Sequence, residues 1–231
     1  MEIHGLQKLT LLDFPGHTAC TVFTARCNWR CPFCHNASLV LRPREQPVIA
    51  EEEFFAFLQK RRGLLDGVAV TGGEPTLQKD LPAFLRKIKD AGFEVKLDTN
   101  GTHPAMLREI LSDSLADYVA MDIKAGRPNY PAVTGTLRPG LDAVAESVEL
   151  LKTAGVAHEF RTTVVRELHD EDDFIDIARW LAGEERYFLQ AFKDSGDIIS
   201  EGFSTCTREQ MERYLAIVTK TIPNAEIRGM D

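Results

Sequence analysis

The stretch "TACTVFTARCNWRCPFCHN", residues 18–36, joins a predicted β-strand to a loop that carries three cysteines. Its first seven residues are rich in β-branched and aromatic side chains, which favour a strand. Cys27, Cys31 and Cys34 follow with the spacing C-x3-C-x2-C. The reactive residues therefore come directly after a strand, where parallel α/β folds place their chemistry.

The alternation of strand and helix continues along the chain. Short β-rich runs are followed by segments whose apolar residues recur every three or four positions, as on one face of a helix. Six or seven β-α units predict a parallel sheet covered by helices, either barrel-like or doubly wound. The predicted strands are residues 18–24, 67–72, 93–99, 117–123, 158–165 and 187–192, with a possible last strand at 225–229.

Length and charge limit the classes of function. A chain of 231 residues suits one large domain or two small ones. The net charge of −8 disfavours a nucleic-acid partner, because phosphates are repelled. No signal peptide and no apolar run of membrane-spanning length are visible, so we expect a cytoplasmic protein without a membrane partner. In that reducing compartment, an odd set of five cysteines fits metal ligands better than disulfides.

Four chemistries compete for the cysteine loop. A thioredoxin-type pair would use Cys31 and Cys34 but needs no third cysteine. A haem attachment site would add His35, but no export signal or second axial ligand accompanies it. Zinc with three cysteines and His35 is disfavoured, because adjacent residues hardly reach one tetrahedral ion. A [4Fe–4S] cluster on three thiolates remains, with one iron open; Cys20 and Cys206 are interpreted as buried or incidental thiols.

Polar residues also follow the later strands. Gly72 and Gly73 allow a ligand to approach the main chain, and Glu74 suits a ligand ammonium; an ordinary turn is the alternative. At the other strand ends, turn formation, an interior ion pair and hydrogen bonding in the core are the alternatives to ligand binding. The residues concerned are Asp98, Thr99, Asn100, Asp122, Lys124, Arg161, Thr163 and Gln190.

The cysteine spacing, with Phe33 before the last cysteine, resembles the signature of the radical S-adenosylmethionine (SAM) superfamily. "GGEP" at 72–75 is similar to the motif that binds the SAM amino group in that family. The resemblance implies a single α/β domain over residues 1–231, a partial (β/α)6-type barrel of parallel strands. Within it lie a cluster loop at 25–36, β/α units over about 18–192, and a C-terminal helix and possible strand at 207–229.

The resemblance also implies roles for individual residues. Three cysteines, Cys27, Cys31 and Cys34, would hold a [4Fe–4S] cluster whose open iron binds SAM, and no side chain would act as acid or base. The implied SAM contacts are Phe33, Gly72, Gly73, Glu74, Asp98, Asn100, Lys124, Thr163 and Gln190. "LDTNG" and "AMDIK" are similar to formate-lyase-type activases, which implies a monovalent cation at Asp98, Thr99, Met121 and Asp122.

Residues 5–36, and "LLDFPG" at 11–16 above all, resemble activating proteins of anaerobic ribonucleoside-triphosphate reductase. The implied function is hydrogen abstraction from a glycine of that partner enzyme, with reduced flavodoxin or ferredoxin as electron donor. Alternatives are a pyruvate formate-lyase-type activase, a small-molecule radical SAM enzyme, and, from another class, a non-catalytic iron–sulfur carrier or zinc module. Ala25-Arg26 departs from the family, in which glycine is expected before the first cysteine.

Overall fold

The strands of the computed structural model follow chain order across one sheet, and the model describes residues 1–230. Asp231, the last residue of the predicted domain, lies outside the described residues. The strands are β1 (Gly5–Thr10), β2 (Ala19–Thr24), β3 (Gly67–Gly72), β4 (Glu94–Thr99), β5 (Tyr118–Asp122), β6 (Ala157–Val164), β7 (Tyr187–Ala191) and β8 (Glu226–Arg228).

Helices connect the strands, as the periodicity of the sequence predicts. They are α1 (Ala37–Leu41), α2 (Glu51–Lys60), α3 (Leu81–Asp90), α4 (Pro104–Ser112), α5 (Tyr130–Thr134), α6 (Leu141–Thr153), α7 (Glu171–Trp180) and α8 (Arg208–Val218). The apolar stripe of α3 is buried, including Phe84, Leu85 and Ile88. No helix within residues 1–230 is long and apolar enough to cross a membrane.

The sheet is a partial barrel. Strands β2 to β8 run parallel to one another, and the unbroken order excludes a doubly wound sheet, whose strand order reverses at a switch point. Within the described chain, β1 and β8 each pair with one neighbour only, so the barrel is open between them. The predicted α/β class and partial barrel of parallel strands are confirmed.

Strand β1 was not predicted. It pairs antiparallel with β2, with Gly5 opposite Phe23 and Leu6 opposite Val22. Its sequence "GLQKLT" lacks the apolar run of the central strands, because three successive residues of this edge strand face solvent. The parallel strands carry a stronger signal because both of their faces are covered.

The stretch "LLDFPG" closes the end of the barrel opposite the cysteine loop. Phe14 is buried in a small cluster with Ala19, Tyr118 and Ala120. A Cβ on Gly67 would lie 2.8 Å from the Phe14 ring, so glycine is needed for the ring to pack there. This stretch therefore has a structural role before β2, away from the strand ends at which the chemistry is expected.

Replacing Phe14 with alanine is expected to lower the free energy of unfolding by about 3–5 kcal/mol, because a buried ring is lost at a closely packed site. Leu12→Ala is the matched control, since Leu12 is 90% exposed and its loss should change stability by less than about 0.5 kcal/mol. Urea unfolding of both variants measures the difference. Equal effects would contradict the proposed role of Phe14 as the closure of this barrel end.

Candidate functional site

A cavity of about 280 Å³ lies at the carboxyl ends of the parallel strands. Its walls come from the cysteine loop and from residues at the ends of β3 to β7. The structure brings together all three cysteines and all nine residues predicted to contact SAM. They are Cys27, Cys31, Phe33, Cys34, Gly72, Gly73, Glu74, Asp98, Asn100, Lys124, Thr163 and Gln190.

The cysteine loop is fixed at both sides by backbone hydrogen bonds. Arg26 N donates to Leu39 O at 3.0 Å, and Arg30 N donates to Thr134 O at 2.9 Å. The Trp29 indole also donates to Pro139 O at 3.1 Å. These bonds hold the loop against the surfaces that follow β2 and β5, so the orientation of the thiols is determined by the fold.

The three loop thiols are the candidate cluster ligands. Cys31 is buried and Cys27 and Cys34 are half-buried. Burial raises the pKa of Cys27 to about 11 and that of Cys31 to about 12, whereas the nearby Lys124 ammonium lowers the pKa of both. Binding of a cluster would therefore release protons from these thiols, as metal binding to cysteine generally does.

Cys20 and Cys206 are buried and do not line the cavity, in agreement with their interpretation as buried thiols. His35 does line the cavity, but its Nε2 lies 2.7 Å from Lys193 O. Its ring also stacks on Phe192, with centroids 5.3 Å apart. The Lys193 carbonyl and the Phe192 ring thus fix the orientation of the His35 ring.

The Gly-Gly turn after β3 packs against the start of the cysteine loop. Gly73 N donates to Thr24 O and Glu74 N donates to Arg26 O, both at 2.8 Å. Gly72 has a φ of +117°, and a Cβ on Gly73 would lie 1.9 Å from Arg26 O. The glycines thus permit close approach of the chain's own backbone, which is a reason for their presence additional to the predicted approach of a ligand.

Glu74 connects the ends of β3 and β4. Its carboxylate is 1% exposed and accepts four hydrogen bonds, from the Thr76 amide and hydroxyl, the Thr99 hydroxyl and the Asn100 amide, at 2.5–3.1 Å. Burial raises the pKa of Glu74, and the four donors act in the opposite direction. The carboxylate predicted to meet a ligand ammonium therefore also holds two strand ends together.

A charged network crosses the floor of the cavity. Arg161 donates to Asp98 at 2.9 Å and to Asp122 at 2.6 Å. Lys96 donates to Asp98 at 2.6 Å, and Lys124 donates to Asp122 at 2.8 Å. These cations hold the pKa of both carboxyl groups below its usual value, although burial alone would raise it. Asp122 and Lys124 form the interior ion pair that the sequence left as an alternative.

Several residues of the site were not predicted. Lys96 was missed because a lysine in a strand is usually exposed, whereas this one is 2% exposed. Asn36 was missed although its Nδ2 donates to Gly72 O at 2.8 Å, because a polar residue after a cysteine loop carries no specific signal. The cavity is further lined by Trp29, His35, Val40 and Thr71, and Arg161 was noted without a ligand role. Met121 is buried outside the cavity lining.

Arg26 has a φ of +71°, in the left-handed region that favours glycine. The backbone at this position therefore has the conformation of a glycine, as expected before the first cysteine, although the residue is an arginine.

Arg26→Gly is expected to raise the free energy of unfolding by about 0.5–1 kcal/mol. The energy cost of holding a non-glycine residue in the left-handed region exceeds the entropy that a glycine loses on folding. Arg26→Ala should bring no such gain, and denaturant unfolding distinguishes the two. A destabilised glycine variant would contradict the strain at Arg26.

A family model described as the radical SAM superfamily matches residues 21–181. The chain belongs to the radical SAM superfamily. It is therefore a radical SAM enzyme, with a [4Fe–4S] cluster and SAM as its cofactors. The residues present fit these groups, because three thiols face one cavity beside Lys124, whose positive charge favours anionic sulfur.

Two related proteins match a larger part of the chain than the family model does. A Methanocaldococcus jannaschii protein assigned as a glycyl-radical enzyme activating enzyme is 32% identical over 99% of this radical SAM chain and 96% of its own. The pyruvate formate-lyase-activating enzyme of Clostridium pasteurianum is 30% identical over 75% of this chain and 73% of its own.

Solved structures agree with the fold. Streptococcus suis SuiB bound to the precursor peptide SuiA has a TM-score of 0.72 at 14% identity, over 90% of this chain. The match spans about half of the SuiB chain (48%). Archaeal TYW1 has a TM-score of 0.57 at 14% identity, over 88% of this chain and 72% of its own. At these identities the likeness concerns the barrel alone.

Proposed function

We propose that this radical SAM enzyme activates a glycyl-radical enzyme. The observation that carries the proposal is the match to a glycyl-radical activase relative along almost the whole of both chains, together with the cavity that unites three cysteines with the Gly72–Glu74 turn. When bound, the cluster would supply the electron for cleavage of SAM to methionine and a 5′-deoxyadenosyl radical, which would take hydrogen from a glycine of the partner.

The chain's own residues bind and orient in this proposal. The cluster is held by Cys27, Cys31 and Cys34, and the Lys124 ammonium balances part of their negative charge. The proposed contacts of SAM are Phe33, the Gly72–Glu74 turn, Asp98, Asn100, Lys124, Thr163 and Gln190. No side chain needs to act as acid or base, because the chemistry belongs to the cofactors.

The proposed partner is anaerobic ribonucleoside-triphosphate reductase, on the resemblance of residues 5–36. Reduced flavodoxin or ferredoxin is the proposed electron donor, and the cytoplasm is the proposed compartment. A pyruvate formate-lyase-type partner is the alternative, supported by the C. pasteurianum relative. A small-molecule substrate is the other alternative within the superfamily.

Electron paramagnetic resonance on anaerobically reconstituted, reduced protein tests the enzyme. We expect a [4Fe–4S]⁺ signal that changes when SAM is added, followed by release of 5′-deoxyadenosine. A signal indifferent to SAM would instead indicate an electron carrier. Addition of each candidate partner then tests the target: a stable glycyl radical on the reductase supports the proposal, and a radical on pyruvate formate-lyase alone supports the alternative.

A further inference from the structure

The oxygen-bearing side chains of three of the four residues predicted to bind a monovalent cation, Asp98, Thr99 and Asp122, are already engaged. Each carboxylate oxygen of Asp98 and Asp122 accepts a hydrogen bond from a cationic side chain of the protein. The Thr99 hydroxyl donates to Glu74. The Met121 side chain is fully buried against Gly101, where a Cβ would lie 2.0 Å from its terminal methyl group.

The charged side chains at the strand ends, counted without the three cysteines and SAM, leave no negative excess for an added cation. Three cationic groups, Lys96, Lys124 and Arg161, face two carboxylates, which gives a net charge of +1. Counting the nearby Glu74 as ionised brings the sum to zero. A buried cation is stable only when opposite charges and hydrogen bonds compensate for its lost hydration, and these compensating groups are already paired. The residues present therefore do not fit a bound monovalent ion.

We propose that the Lys96 ammonium, together with the Arg161 guanidinium, takes the place of a monovalent cation beside the SAM site of this enzyme. Lys96 supplies a single, compact positive charge at 2.6 Å from Asp98, where a potassium or sodium ion would otherwise bind. Arg161 joins Asp98 to Asp122 across three strands. Lys96 is in this sense a positioning residue: it holds Asp98 in place through charge.

The first test uses the wild-type protein carrying its cluster. The dissociation constant of SAM is measured in potassium chloride and in choline chloride at equal ionic strength, from the change in the cluster's resonance signal. Choline is too large to replace potassium at such a site, because three methyl groups surround its charged nitrogen. We expect the two dissociation constants to agree within about twofold, which is less than 0.5 kcal/mol. A SAM affinity that requires potassium would overturn the proposal.

The second test removes the ammonium. Lys96→Met keeps much of the side-chain length and deletes the charge, so Asp98 regains an unpaired oxygen. We expect SAM to bind at least about tenfold more weakly to this variant in choline chloride, and to recover when potassium or ammonium chloride replaces choline. A purely structural role of Lys96 would not produce recovery by one cation and not by another, so equal affinity in all three salts would contradict the proposal.

Thermal unfolding of the cluster-free protein gives a readout that does not depend on SAM. Lys96→Met should be stabilised by potassium relative to choline, whereas the wild-type protein should not. Lys89→Met is the matched control, because Lys89 pairs with Asp117 outside the cavity and its removal should create no preference among cations. If Lys96→Met does not fold, the proposal is tested by the SAM affinity of the wild-type protein in potassium chloride and in choline chloride.

This inference rests on the proposed binding of SAM in the cavity, but the experiments distinguish a failure of the inference from a failure of the proposed function. A resonance signal that never responds to SAM would remove the proposed function. A signal that responds to SAM only in potassium would leave the function intact and show that Lys96 does not replace the ion.

Discussion

Replacing Cys31 with serine is expected to reduce the iron and sulfide content of reconstituted protein to background and to abolish release of 5′-deoxyadenosine. Cys31 is the most buried of the three loop thiols, at 8% exposure, and the loop is fixed on both sides, so no other thiol can move into its place. A serine hydroxyl does not supply the thiolate that iron–sulfur clusters require. Iron and sulfide analysis with electron paramagnetic resonance measures the loss.

Cys206→Ala is the matched control for Cys31→Ser. Cys206 is also a buried thiol, at 2% exposure, but it does not line the cavity. Its replacement should leave the cluster content and the response to SAM unchanged. Loss of the cluster in the Cys206 variant, or its retention in the Cys31 variant, would refute the assignment of the three loop cysteines.

Replacing Glu74 with alanine is expected to lower the free energy of unfolding by about 3–5 kcal/mol and to abolish SAM binding. Removal of the carboxylate leaves the buried amides of Thr76 and Asn100 and the Thr99 hydroxyl without their acceptor. Each buried donor left unpaired costs about 1–3 kcal/mol. Urea unfolding and SAM titration of the same preparation measure the two effects.

Glu74→Gln separates the two roles of this side chain. Its amide oxygen can still accept from Thr76 and Thr99, whereas its amide nitrogen faces the Asn100 N–H, so the loss of stability should lie between those of wild type and Glu74→Ala. Glu146→Ala is a surface control, because the Glu146 pair with Arg108 is exposed and contributes at most about 1 kcal/mol. A Glu74→Ala variant with normal stability and no SAM binding would mean that the carboxylate serves only the ligand.

The barrel and many of the residues that line its cavity could be predicted because each signal was local. Apolar runs identified the parallel strands, and the cysteine spacing and the Gly-Gly-Glu turn lie within a few residues of a strand end. Parallel strands bring their carboxyl ends to one edge, so all of these residues meet in one cavity. Strand β1 was the exception, because an edge strand with polar residues has a weak pattern.

The pairing of the site residues could not be predicted, because it depends on separations along the chain that carry no local signal. Arg161 lies 63 residues from Asp98, and Glu74 lies 26 residues from Asn100. The Lys96–Asp98 pair is local, because residues two apart on a strand lie on one face, but the burial of that face depends on the neighbouring strands. The positive φ of Arg26 could not be predicted for the same reason, because the backbone partners of Arg26 lie in α1 and in the Gly-Gly turn, which are distant along the chain.

The hydrogen bonds from Gly73 and Glu74 to the carbonyls of Thr24 and Arg26 determine where the length of this protein can change in evolution. One residue inserted in either segment would break both bonds and displace the cysteine loop from the turn beside it. The exposed stretch at 42–48 does not line the cavity and can lengthen at little cost. Insertions, affinity tags and new domains therefore belong at 42–48, and the 24–27 and 71–74 segments should keep their length.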